Sequence, residues 1–599
     1  MTTYPKERRT IVNTILGHAS TNPDGLAFRF LGNGDTVSET LTYGELDARC
    51  RAVAAYLQQE GLRGERVMLC FEPGLSFICA FIGSLYAGAV PVPVSAPRPN
   101  RPVERFRSII RDCRPQLEIT NRSRHRHREL LSETVPELED IPCLIVDDVN
   151  VADAAGWDGQ LPEPSALAFL QYTSGSISVP KGVAVTHANI LRNEEQIKAA
   201  FGHDDSTIFV GWLPLFHDMG LIGNMMQPLY LGIECTLLPP LAFIQRPVRW
   251  LRAISRYGAT TSGAPNFAYD HCVSRIAPED MAGIDLSSWR VAFNGAEPVR
   301  AETIECFSRT FAQAGFRAET FYPCYGLAEA TLFVCGGLPG ELPFVLRADS
   351  SAIEFREFRP ALNGGAGRDL VSSGLLRSDE EIRIVDPDSL RELPEGKIGE
   401  VWVAGENVAK GYWNQPAESS TTFDATLEST SPLRFLRTGD LGFIHSGRLF
   451  VTGRLKDLII IRGRNLYPQD IEETVWHGQP FFAPGRCAAF SVEGYEGEQL
   501  VVVQELTRRP PTPSQLSEVL QEIRAAVSEQ HDVAITTLCF VEPGGIPFTS
   551  SGKIRRSYCR QLFLDGRLPV IVDARDGVAP QESDPFISAG KRKNHGKDF

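Results

Sequence analysis

Paired cysteines are missing from this sequence. Its 13 cysteines stand singly, with no CxxC and no regular spacing. A disulfide framework or a cysteine zinc site needs such spacing, so reduced and partly buried thiols are expected. A surplus of positive charge is also missing: 60 Lys and Arg against 74 Asp and Glu leave a net charge of −14. Such a chain gains nothing from counterion release, which argues against a nucleic-acid partner. The first residues, MTTYPKERRT then IVNTILGHAS, contain no long apolar core and no small-residue cleavage site. No signal peptide is read there, and a cytoplasmic protein is expected. There are no internal repeats and no Walker A loop, because GxxxxGK[ST] fits nowhere. One stretch, Ser76 to Val94, is uncharged and long enough to span a bilayer. Pro91 and Pro93 break a helix there, and Gly83 and Gly88 weaken it. A buried helix ending near Gly88 and then a short strand is the expectation, with no integral membrane segment.

The chain has 599 residues, 43% of them hydrophobic. That exceeds one hydrophobic core, so at least two domains are expected. In the N-terminal part, strand patterns (38–43, 66–71, 144–147, 166–172) alternate with helical ones (44–61, 75–87), which predicts a largely parallel sheet. Short strands with turns follow at 396–405, 433–437, 441–445 and 448–452, the mark of a small β-rich subdomain. Beyond Asp457 the pattern changes again. A helix at 470–476, strands at 486–492 and 498–505, a long helix at 514–531 and a strand at 537–541 read as a compact α+β unit. The predicted fold is α/β: a large N-terminal domain of α/β subdomains plus the β-rich subdomain over 1–455, then a small C-terminal domain over 456–572. The boundary falls at Arg454–Asp457. A polar tail over 573–599 is expected to be disordered. The arginine-rich stretch Arg98–Arg128 reads as either a solvated face or a docking patch for an acidic partner.

The first chemical signal is Tyr172–Gly182, YTSGSISVPKG, after an apolar strand. Small residues and hydroxyls after a strand let backbone approach phosphate oxygens, and Lys181 adds charge. Five further motifs follow in order: NGAEP (294–298), YGLAEAT (325–331), TGDLG (438–442), GRLKD (453–457) and PFTSSGKIR (547–555).

This ordered set resembles the adenylate-forming superfamily of acyl-CoA synthetases, nonribosomal peptide adenylation domains, luciferases and fatty acyl-AMP ligases. The likeness runs from about Leu41 to Leu564. It implies that Thr173, Ser174, Gly175 and Ser176, with Lys181, cradle the β- and γ-phosphates of ATP. Gly295 and Ala296 would line the adenine slot, and Tyr325, followed by Gly326, would stack on the base. Glu329 would hold Mg2+, a hard cation that prefers carboxylate oxygen. Asp440 would accept from the ribose hydroxyls, with Arg454 beside it. His217, in PLFHDMG, would sit beside the substrate carboxylate. Lys553 would bridge that carboxylate and the α-phosphate, offsetting the repulsion between two anions. Lys456 matches the hinge about which the family's mobile C-terminal lid turns between half-reactions. One departure stands out: Ile177 and Ser178 replace the Thr-Gly pair of the usual loop, so a hydroxyl and a flexible glycine are lost.

The segment 453–472, GRLKDLIIIRGRNLYPQDIE, is similar to the fatty acyl-AMP ligase branch, as is the tail of the lid. Extra length, placed within Leu342–Gly374, resembles that branch's insertion between the domains. The branch implies a fatty acid substrate and transfer of the acyl group to the phosphopantetheine thiol of an acyl carrier protein. The acyl pocket is expected near Trp212–Gln227 and Thr261–Tyr269, many of which could instead be core. The rival readings are an acyl-CoA ligase with free CoA as acceptor and a non-catalytic nucleotide-binding module.

Overall fold

A computed structural model describes residues 9–97, 103–173, 180–362, 367–377, 380–427, 433–462, 464–494, 497–507, 511–549, 552–575 and 581–582. The largest element is an eight-stranded sheet. Its middle strands, Leu26–Phe30, Cys235–Leu237, Phe209–Gly211, Thr261–Gly263, Val291–Asn294 and Phe321–Gly326, run parallel, and an antiparallel strand closes each edge. A second, four-stranded parallel sheet holds Val90–Val94, Arg66–Cys70, Leu117–Thr120 and Cys143–Ile145.

The uncharged stretch after Ser76 folds as expected. Helix Leu75–Ala87 is buried on nearly every face, and Gly88 ends it at φ +71. Burial of each large apolar side chain stabilises by about 1.5–3 kcal/mol, which is why this helix sits between layers. Strand Val90–Val94 follows on the sheet edge, the place where prolines without N–H groups are tolerated. Among the described residues no helix is long and apolar enough to cross a membrane.

The β-rich part is a five-stranded sheet in the order Gly374–Leu375, Arg448–Arg454, Leu436–His445, Gly399–Ala404, Glu381–Val385. Strands predicted at 433–437 and 441–445 are one strand. Its register against Gly399–Ala404 slips between Glu400 and Trp402, where Thr438–Asp440 bulge out. Gly439, at φ +70, makes the bulge possible.

The stretch 342–374 contributes a hairpin, Val345–Asp349 with Gly367–Val371, and a short helix Ser350–Glu354. Ala348, Ile353, Phe358 and Leu370 pack with Phe443, Phe450 and Tyr467. The Phe358, Phe443 and Phe450 rings stack at 4.9 Å steps. This insertion also grips the C-terminal part. Arg464 donates to Glu354 Oε2 at 2.7 and 2.9 Å, and Arg368 pairs with Asp470 at 2.8 Å.

Residues 459–574 enclose a core of their own around the sheet Phe482–Gly494, Gly497–Leu506, Ile535–Val541, Val570–Arg575 and Gln581–Glu582. The long helix Pro513–His531 covers it. The tail expected to be irregular from Asp573 falls short, because 573–575 and 581–582 are strand: backbone pairing with Ile535–Val541 continues to Arg575. The remaining residues of 573–599 lie outside the described set.

All 13 cysteines are free and at least partly buried. Part of the arginine-rich stretch is tied down. Arg107 and Arg111 pair with Glu137, Arg128 with Glu118 and two carbonyls, and Arg124 is buried. Arg111, Arg114, Arg122 and Arg126 are nevertheless exposed, so part of that charge still faces solvent. Arg98 and Arg101 lie outside the described residues.

Candidate active site

The carboxyl ends of the parallel strands Val291–Asn294 and Phe321–Gly326 open onto a cavity of about 1760 Å³, shared by the eight-stranded sheet, the five-stranded sheet and the C-terminal part. Such ends are where ligands bind in open α/β sheets. Thr173, Lys181, His217, Gly295, Ala296, Tyr325, Gly326, Glu329, Asp440, Arg454, Lys456 and Lys553 all line it. The predicted Ser174, Gly175 and Ser176 lie outside the described residues.

Gly295 is bare because the neighbouring strand leaves no room: a Cβ would lie 2.7 Å from the Cys324 carbonyl oxygen. Ala296 is held at φ +74, an unusual conformation for a residue with a side chain. Gly326 is still tighter, since a Cβ would meet the Leu332 carbonyl oxygen at 1.8 Å.

The bulge at 438–440 aims Asp440 inward. Glu400 supports it from below, accepting from Gly439 N at 3.1 Å and from Arg437 and Trp402 at 3.0 Å. The buried Asp440 carboxylate accepts from the Tyr325 hydroxyl at 2.7 Å and from Arg454 Nε at 3.0 Å. Its charge holds the Arg454 guanidinium above its ordinary value against the opposing effect of burial, while burial and then Asp440 push the Tyr325 phenol up.

Glu329 Oε1 accepts from the Tyr412 hydroxyl at 2.8 Å. The turn that carries Glu329 is strained. Thr331 sits at φ +67 in a three-residue turn closed by Leu332 N to Ala330 O at 2.8 Å, and its hydroxyl is fixed on the Asn407 carbonyl. Lys181 lies over the same Tyr412 ring at 4.7 Å and pairs with Glu418. Thr173 N donates to Lys181 O at 3.1 Å, which pins together the two ends of the phosphate-loop motif.

His217 precedes a π-helical turn, Met219–Met226, of the kind found at functional sites. Its Nδ1 lies 2.5 Å from Asp218 Oδ1, which also caps the turn through Met219 N. Burial works to raise the Asp218 carboxyl, but His217 and then Lys553 outweigh it and hold it at about 2.

Lys553 stands on a small hairpin, bridged at Phe548 and Ile554, with Gly552 at φ +84. Gly552 packs on Phe267 of the N-terminal part, where a Cβ would come within 3.0 Å of the ring. Burial, then Arg454, push the Lys553 ammonium down, and Asp218, Glu297 and Asp440 oppose them. Lys553 thus shares the cavity wall with Asp218, Glu297 and Asp440. Lys456 lies in the turn Leu455–Asp457, and Asp457 faces Arg556 at 3.6 Å.

Next to this polar end is an apolar chamber. Of the two segments expected to form it, only Phe216–Met219, Gly223, Asn266 and Phe267 face the cavity. Trp212, Leu221, Ile222, Met225, Met226, Thr261 and Tyr269 are core. The remaining wall comes from Ile197, Phe201, Phe209, Phe293, Leu332 and Phe333. Asp218 and Glu297 sit inside motifs already noted and were legible there. Tyr412, Glu418 and Glu400 lie outside any motif and carry no local signal.

The chain matches the family described as AMP-binding enzyme over residues 17–413 and the Disco-interacting protein 2-like AMP domain over residues 456–573. It belongs to the AMP-binding enzyme family. Its relatives are fatty acid ligases. It is 44% identical to the medium-chain-fatty-acid–[acyl-carrier-protein] ligase JamA of Moorena producens, over 92% of this chain and 95% of that one. It is 38% identical to the long-chain-fatty-acid–AMP ligase FadD26 of Mycobacterium marinum, over 95% and 100%. The fold superposes on the fatty acyl-adenylate ligase of L. pneumophila, solved in complex with acyl adenylate and pyrophosphate, with a TM-score of 0.73, 40% identity, and coverage of 94% of this chain and 98% of that chain.

Proposed function

We infer that this protein activates a fatty acid with ATP as acyl-AMP and passes the acyl group to the phosphopantetheine thiol of an acyl carrier protein. The observation that carries this is the seat of Lys553, in one cavity with the Asp440–Tyr325–Arg454 group on one side and an apolar chamber on the other. A fatty acid lying in the chamber brings its carboxylate to His217 and Lys553. The carboxylate oxygen attacks the α-phosphorus, the bond from that phosphorus to the bridging oxygen breaks, and pyrophosphate leaves with the electron pair. Lys553 offsets the repulsion between the approaching anions. Asp440 holds the ribose hydroxyls, and Thr173 and Lys181 hold the β- and γ-phosphates.

Glu329 suits Mg2+. Its carboxylate faces the cavity, steadied by Tyr412. No cluster of three metal-binding side chains occurs among the described residues, so the ion would complete its shell with phosphate oxygens and water, as Mg2+ commonly does. Bound there, it would neutralise phosphate charge.

The body would span 1–455 and the lid 456–572. Rotation about Lys456 would withdraw Lys553 and admit the thiol, whose attack on the acyl carbonyl expels AMP. Reliance on ATP and on a carrier protein favours a cytoplasmic location. The test is incubation with ATP and a fatty acid, adding either CoA or a carrier protein bearing phosphopantetheine, read by mass spectrometry. Acyl-AMP and acyl-carrier thioester are expected. Abundant acyl-CoA would overturn the acceptor, and absence of acyl-AMP would overturn the reading as an enzyme.

A further inference from the structure

The apolar chamber has polar groups directly behind its wall. Phe201 and Phe209 line the chamber, and the buried His203 ring stands edge-on against both, with centroids 5.3 and 5.1 Å away. Both nitrogens of that ring are tied. Nε2 accepts from the Thr261 hydroxyl at 3.2 Å, and Nδ1 donates to the Gln227 side-chain oxygen at 3.2 Å. The Gln227 amide nitrogen donates in turn to the Glu194 carbonyl at 3.2 Å and to the Glu194 carboxyl. Thr261, Gln227 and Glu194 are all buried. Burial pushes the Glu194 carboxyl well up and, with Arg290, the His203 imidazole down to about 3, so both groups are uncharged near neutral pH.

Strand register fixes where this cluster lies. Thr261 pairs with Phe209 and with Val291, each the first residue of its strand. His217, Gly295 and Ala296 instead follow the carboxyl ends. From Val291 to Gly295 is about 13 Å of extended chain. The reacting end of the chamber and His203 therefore stand at opposite ends of the sheet's strands. Helix His187–Phe201 adds the same order, with Phe201 and Ile197 on the chamber wall and Glu194 on the same face one turn beyond. A tied polar ring yields less readily than an apolar one. Moving it would leave Thr261, Gln227 and the imidazole unpaired where water cannot replace the lost bonds.

We propose that His203, held by Thr261 and by Gln227 with Glu194, is the floor of the acyl chamber, a positioning residue that sets chain length by keeping Phe201 and Phe209 from giving way. The inference rests on the adenylation reading above and narrows its substrate to fatty acids of bounded length with apolar ends. A longer chain meets the two phenylalanines, and they have no space behind them to enter.

The full chain incubated with ATP, Mg2+ and a ladder of saturated fatty acids of increasing length tests this, with acyl-AMP read by mass spectrometry. His203→Ala opens space behind the two rings, so the profile should move to longer chains. For chains beyond the wild-type limit kcat/KM should rise about tenfold or more, the scale of an added methylene in an apolar pocket, and mainly through KM. The best wild-type substrate should change little. Thr261→Val cuts one tether and keeps the volume, and should move the profile the same way by less. Glu194→Gln keeps an uncharged hydrogen-bonding group and should leave the profile as it is. Should His203→Ala fail to melt cooperatively, His203→Asn decides, because it removes the ring while keeping a polar side chain beside Gln227. A folded His203 variant with the wild-type profile, or with all chain lengths slowed alike, would overturn the floor and leave adenylation intact. A wild-type chain that makes acyl-AMP from no fatty acid would overturn both.

Discussion

The Tyr325 hydroxyl donates to the Asp440 carboxylate at 2.7 Å, fastening the carboxyl end of the eight-stranded sheet to the bulge of the five-stranded one. Two motifs separated by more than a hundred residues meet in that bond. Tyr325→Phe removes it and leaves Arg454 as the remaining side-chain partner of the buried carboxylate. A hydrogen bond to a charged group contributes about 1.5–3 kcal/mol, so KM for ATP should rise roughly tenfold or more, with a smaller change in kcat. ATP–pyrophosphate exchange measures both, and an unchanged KM would count against the nucleotide site.

Lys553→Ala should reduce adenylation by about 10²–10³-fold, the scale of a lost transition-state charge contact. Transfer from chemically supplied acyl-AMP to the carrier thiol should remain near wild type. Equal loss of both half-reactions would refute a role confined to the first.

A pH dependence follows from the same residue. Burial and Arg454 lower the Lys553 pKa from 10.5, so the charged form on which the proposed role depends is lost at a pH below the ordinary lysine value. kcat/KM for adenylation should therefore begin to fall before pH 10.5, and Lys553→Arg should move that limb upward. The stability effect has the opposite sign: the folded state binds this proton less than the unfolded state does, so the contribution to stability rises with pH between the lowered pKa and 10.5.

Glu354 and Arg464 couple the insertion to the lid, and their side chains are only 12% and 23% exposed. A double-mutant cycle with Glu354→Gln and Arg464→Gln in urea should give a coupling of about 1–2 kcal/mol. A coupling near zero would reduce the contact to packing alone.

Gly223 faces the apolar chamber, and a Cβ there would meet only Leu332 Cδ2, at an ordinary 3.7 Å. The fold tolerates a larger residue at this position; the chamber does not. Gly223→Leu should shift the acyl-AMP profile toward shorter fatty acids while leaving thermal stability nearly unchanged. An unaltered profile would place the acyl chain elsewhere.

The motifs were legible because each is compact in sequence: a hydroxyl-rich turn, a glycine beside a carboxylate, a lysine in a glycine hairpin. The helix at 75–87 and its glycine stop were legible because periodicity and φ preference act locally. The bulge at 438–440 was not, since two strand patterns around Gly439 read as two strands until pairing with Gly399–Ala404 joins them. Nor could sequence foresee that Arg107, Arg111 and Arg128 meet Glu137 and Glu118, or that Phe201 and Phe333 share a wall with Phe293. Those contacts are set by packing between distant elements, and no window of sequence contains both partners.

Tyr412 touches Lys181 with its ring and Glu329 with its hydroxyl, and it bridges to Val183 through the backbone. A chain cut short before residue 399 would keep the eight-stranded sheet and much of its core, yet Lys181 and Glu329 would stand without the ring that spaces them, and without Asp440 and Lys553. The proposed nucleotide site would therefore be complete only in the assembled chain, where Thr173, Lys181, Glu329, Tyr412, Asp440 and Lys553 line one cavity.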